Sequence, residues 1–123
     1  MREKLRAGAD VCFVNHAGGA EPVRRFIDEV GVSAAFVPCV PVVVDHASAD
    51  LLESFTTLVL PDGFLARVRE APDPRAEGIA LAVALAEEML AIPGVVGVNL
   101  SGGREGAEES FAEAQAEVAR RLQ

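Results

Sequence analysis

Apolar residues in this chain occur in two patterns: short unbroken runs, and longer stretches where they recur every three or four positions. The unbroken runs are "DVCFVN", "SAAFVPCVPVVV" and "VVGVNL". They are rich in β-branched and aromatic residues and are bounded by glycine, proline or polar turns, which predicts strands. None alternates with polar positions, as expected of strands covered on both faces. Pro38 and Pro41 interrupt the second run. Proline donates no ladder hydrogen bond, so these two are expected only at the start or end of a central strand.

The periodic stretches predict helices. "MREKLRAG" reads as the last turns of one, basic near its C-terminus and stopped by Gly8. A second starts with Pro22 at its first position and carries Val23, Phe26, Ile27 and Val30 as one apolar stripe, ending at Gly31. Ser48 is expected to cap a third that buries Leu51, Leu52 and Phe55. "LPDGFLARVREAP" holds a short fourth. Asp73 caps a fifth, with Pro74 at its first position. The body of that helix, "GIALAVALAEEMLAI", is apolar around most of its circumference and should be buried on more than one side. After Gly102 and Gly103 comes a last helix, with Ala107, Phe111, Ala114, Val118 and Leu122 facing inward.

Strands alternating with helices in this order predict an α/β fold with a parallel sheet and right-handed crossovers. Asn15, Pro38 and Leu100 then lie near the C-terminal ends of the three strands. Neither an internal repeat nor a linker divides the chain, so residues 1–123 are expected to form a single domain.

Composition narrows the function classes. Eleven basic against nineteen acidic side chains give a formal charge of -8. That balance, with scattered basic residues, argues against a nucleic-acid surface. No apolar run approaches the roughly eighteen residues of a membrane span. The first ten residues lack the apolar core of a signal peptide. Two cysteines and no secretion signal point to free thiols and a cytoplasmic location.

Three blocks in series, "KLRAGADVCFVN", "RRFIDEVGVSAAFVPCVPVV" and "GIALAVALAEEMLAIPGVVGVNLSG", resemble successive segments of methylenetetrahydrofolate reductase. The resemblance covers nearly the whole chain in the right order. It implies a partial (β/α)8 TIM barrel made of about the last three β/α units, strands six to eight. A whole barrel takes about 250 residues. The chain is therefore expected to be a fragment of a longer reductase, or one that completes itself with a partner chain. The implied activity is reduction of 5,10-methylenetetrahydrofolate to 5-methyltetrahydrofolate with NAD(P)H through FAD. The implied partners are the folate and NAD(P)H, with either a homo-oligomer or a missing N-terminal half. The family's acidic catalytic residues belong to its first half, so no catalytic residue is assigned here. The alternative is a non-enzymatic, diverged half-barrel serving as a binding or assembly module.

The same resemblance implies the site residues. Lys4 matches a lysine near the flavin phosphates, where an ammonium would offset the diphosphate; the other reading is a cation at a helix C-terminus. Asn15 falls where the family has a glutamine that binds the pterin of folate, one methylene longer. The other reading of Asn15 is a tie within its own loop. His16 and Ser101 fall beside the flavin, where the family commonly has aromatic residues. Gly102 and Gly103 suit either a phosphate or a turn that needs positive φ. His46 and Asp45 follow the second strand without metal-ligand spacing, so no metal is expected. Neither Cys12 nor Cys39 has a base in sequence reach, and Cys12 should face the helices if Asn15 faces inward.

Overall fold

The computed structural model describes residues 11–16, 18–30, 34–55, 59–103 and 106–123. The expected N-terminal helix, with Lys4, and the helix stop at Gly31 lie outside the described residues. The elements are β1 (Val11–Val14), α1 (Ala20–Val30), β2 (Ala35–Pro41), α2 (His46–Ser54), α3 (Phe64–Glu70), α4 (Pro74–Leu90), β3 (Asn99–Ser101) and α5 (Glu108–Arg121). The three strands form one parallel sheet in the order β1-β2-β3, with Val11 opposite Ala35 and Cys39 opposite Asn99.

This order is singly wound. Both crossovers step in the same direction, and right-handed crossovers that do so lay their helices on one face. Burial follows. Cys12, Val14, Phe36 and Val40 are buried, whereas Val11 is 49% and Phe13 65% exposed. The expectation of strands covered on both faces is therefore corrected: one face is packed and the other bare. The residue types do not reveal this, because apolar residues occupy both faces.

β2 is the central strand and contains both prolines, Pro38 in its interior and Pro41 at its end. The ladder shows how Pro38 is tolerated. Phe36 directs its backbone at the β3 side, donating to the Gly94 carbonyl at 2.9 Å and accepting from the Val96 amide at 3.1 Å. Pro38, two residues on, faces the same side with no N–H to give. There the pairing lapses, and residues 96–98 are not strand. Phe36 is bridged to Val95 while Cys39 pairs with Asn99, so the third strand gains one residue in between. This is a β-bulge. It shortens the expected strand over 95–100 to Asn99–Ser101 and moves its end from Leu100 to Ser101.

The packed face is covered chiefly by α4, which touches β2, α1, α3 and α5. Asp73 caps it, accepting from the Ala76 amide at 3.2 Å, with Pro74 at its start. Ile79, Ala82, Leu85, Ala86 and Met89 form its buried stripe. Gly78 permits the closest approach: a Cβ there would stand 1.7 Å from the Val43 carbonyl oxygen. α1 starts at Ala20 and not at Pro22, whose missing N–H falls in the first turn, where amides have no helical acceptor. Phe26 meets Phe36 edge to face, centroids 6.4 Å apart. On α5, Phe111, Ala114 and Val118 are buried as the periodicity predicts.

The start of α2 departs from expectation. Asp45 is the N-cap, accepting from the Ser48 amide at 2.7 Å, and Ser48 Oγ accepts in return from the Asp45 amide at 3.3 Å. This reciprocal box starts the helix three residues earlier than a Ser48 cap would. The buried positions become Ser48 and Ala49, and Leu51 and Phe55 are left 38% and 49% exposed.

Candidate functional site

A cavity of about 310 Å³ opens where the C-terminal ends of β1 and β3 meet one face of α2. Parallel sheets collect ligands at this end, because loops and helix starts converge there. Asn15, His16 and Ser101 form its polar edge. Val42, Leu51, Leu52 and Phe55 form an apolar wall, and Ser48, Gly102 and Gly103 complete the lining. α3 braces the wall from outside: Arg69 holds Asp50 and Glu53 of α2 at 2.7 and 2.6 Å.

Asn15 follows β1 directly and is exposed. Its Oδ1 accepts the His16 backbone amide at 2.9 Å, which ties the loop, and its Nδ2 carries the remaining donors. His16 and Ser101, far apart in sequence, meet at 3.1 Å between Nε2 and Oγ. Ser101 Oγ also lies 3.5 Å from the Val40 carbonyl oxygen, to which it can only donate. His16 is half-buried, and desolvation holds its pKa below the usual imidazole value of 6.5. The ring is therefore neutral at pH 7.

Gly102 and Gly103 take φ of 137° and 106°. A Cβ on Gly102 would stand 2.5 Å from the Val42 carbonyl oxygen, so this glycine serves a tight turn against β2's extension. His46 opens α2, is exposed, and does not line the cavity. Asp45 is occupied in capping. Among the described residues, no group of three or more His, Cys, Asp or Glu side chains could hold a metal. Cys12 is buried on the helix side, as Asn15's orientation implies. Cys39 is half-buried, with its Sγ 3.5 Å from Asn99 Nδ2.

The sequence reading missed the apolar wall. Leu51 and Phe55 are expected in the core; the face they share with Ser48 and Leu52 borders the cavity instead. Phe55 also places an aromatic ring at the site although the third strand carries none.

The lining suits a flat heterocycle, with a greasy wall against the ring and hydrogen-bonding groups at one edge. Among the described residues that line it there is no lysine or arginine to meet the diphosphate of FAD, and Lys4 and Arg104 lie outside the described residues. No model of a known family and no curated protein matches this chain. Among the described residues, no helix is long and apolar enough to cross a membrane.

Proposed function

We propose that this chain is the C-terminal portion of a methylenetetrahydrofolate reductase-like (β/α)8 barrel and supplies one side of its folate pocket. The observation that carries the reading is the singly wound parallel sheet with an apolar bare face. Consecutive β/α units with helices on one side only are what a barrel wall consists of, and its inner face needs further strands to cover it. The cavity lies at the strand ends where barrels keep their sites.

In this reading Asn15 donates from Nδ2 to the pterin, Leu51, Leu52 and Phe55 exclude water from the ring, and His16 with Ser101, which the resemblance sets beside the flavin, borders the same pterin edge. FAD, if the complete barrel held it, would supply the hydride, and NAD(P)H would replenish it. Contacts to its diphosphate fall to Lys4 and to elements beyond the described lining. A second reading, a non-enzymatic binding or assembly module, is favoured by one observation: the Asn15 amide oxygen is already engaged by its own loop.

The test is an NMR titration of the ¹⁵N-labelled chain with 5-methyltetrahydrofolate and, separately, with FAD. Shifts confined to the amides of Asn15, His16, Leu51, Phe55 and Ser101–Gly103 are expected with the folate, and at most weak ones with FAD. Scattered or absent folate shifts in a folded chain overturn the reading in favour of the module.

A further inference from the structure

The polar edge of the cavity contains an imidazole whose proton can be placed from its surroundings. A serine hydroxyl has one proton to give and two lone pairs to receive. Ser101 Oγ lies 3.1 Å from His16 Nε2 and 3.5 Å from the Val40 carbonyl oxygen. A carbonyl oxygen only accepts, so the second contact is a bond only when the hydroxyl proton points at Val40. The first contact must then run from an Nε2–H of His16 to the serine oxygen. The opposite arrangement directs the hydroxyl proton at Nε2 and leaves the Val40 contact without a hydrogen. One tautomer satisfies both contacts, and the other satisfies one.

We infer that Ser101 is a positioning residue: it holds His16 as the Nε2–H tautomer, so that Nδ1 is offered to the cavity's ligand as a hydrogen-bond acceptor. Among the described residues nothing bonds Nδ1. Burial keeps the ring uncharged near neutral pH, which leaves that nitrogen its lone pair. The adjacent Asn15 has its oxygen turned to the His16 amide and its Nδ2 hydrogens remaining. Neighbouring residues thus present one acceptor and one donor. The ligand edge that answers them carries an N–H beside a C=O, as in a lactam ring. This deepens the folate reading and rests on it for the choice of ligand; the tautomer does not depend on it.

The experiment uses the full chain carrying His46→Gln, which leaves a single imidazole, labelled with ¹⁵N. Long-range ¹H–¹⁵N spectra are expected to show a protonated Nε2 and a bare Nδ1. Ser101→Thr, which keeps the hydroxyl, should preserve that spectrum. Ser101→Ala should yield a mixture of tautomers and weaken binding of 5-methyltetrahydrofolate about two- to tenfold, the loss of one ordinary hydrogen bond. An Nδ1–H ring in the parent chain, or an unchanged spectrum in Ser101→Ala, overturns the inference. If the spectra are as expected but the folate binds no variant, the folate reading falls and the role of Ser101 stands.

Discussion

Phe13 and Phe36 are the same residue on neighbouring parallel strands, yet Phe13 is 65% exposed and Phe36 is 1% exposed. Phe36 lies under the helices, against Phe26 and the turn at Gly94. Phe13 points from the opposite face, which no described helix covers. The difference arises from the handedness of the crossovers and not from side-chain chemistry. The packed face supplies the stability of this chain, while the bare face is surface available to other strands.

The sharpest break of that contrast is truncation. Phe36→Ala should cost about 3–5 kcal/mol, as large core deletions do, whereas Phe13→Ala should stay within about 0.5 kcal/mol. Urea unfolding of both variants measures the gap, and equal losses would show that the bare face is covered in solution. Gly78→Ala tests the packed side by addition. A methyl 1.7 Å from the Val43 carbonyl forces α4 off the sheet, with an expected cost of about 3 kcal/mol. If α4 adjusts freely, thermal unfolding will show little change.

Two smaller effects concern the site end of the sheet. Asp45→Ala removes the N-cap of the helix that supplies the apolar wall, at about 1 kcal/mol; circular dichroism on heating reads it. His16 contributes a pH dependence of known sign. Its folded pKa is below the unfolded value of 6.5, so the unfolded chain binds the proton more readily in that interval. Stability is therefore complete above pH 6.5, declines as pH falls toward the folded pKa, and levels off below it. His16→Gln should flatten this component in denaturation curves collected across the interval, and an unchanged slope would place the dependence elsewhere.

The legible parts of the fold are those set by local chemistry. Asp73 and Pro74 announce α4, the stripe from Phe111 to Val118 announces α5, and the alternation of elements announces a parallel sheet. The faces of the strands were not legible, because valine and phenylalanine occupy both sides. At the site, Asn15, His16 and Ser101 were singled out from sequence, but the contact between His16 and Ser101 depends on strand pairing that no local pattern encodes. The apolar wall was misread because Ser48, Leu51, Leu52 and Phe55 do share one helix face, as the spacing says, but that face meets the cavity between strand ends, which no local pattern encodes.

The extra residue opposite Pro38 sets the phase of everything that follows it on the third strand. Side chains on a strand alternate sides, so one added position inverts which of them point each way. With it, Ser101 pairs with Pro41 and shares the side of Asn99 and Cys39, while Leu100 joins the apolar core. Were the same sequence paired regularly onward from Val95, with no residue looped out, Leu100 would fall opposite Pro41 on the side of His16, and the serine hydroxyl would come one place later and turn into the helix layer. Deletion of Gly97 would take out the surplus position itself: Asn99, Leu100 and Ser101 would keep their partners on β2, and the hydroxyl would stay at the site.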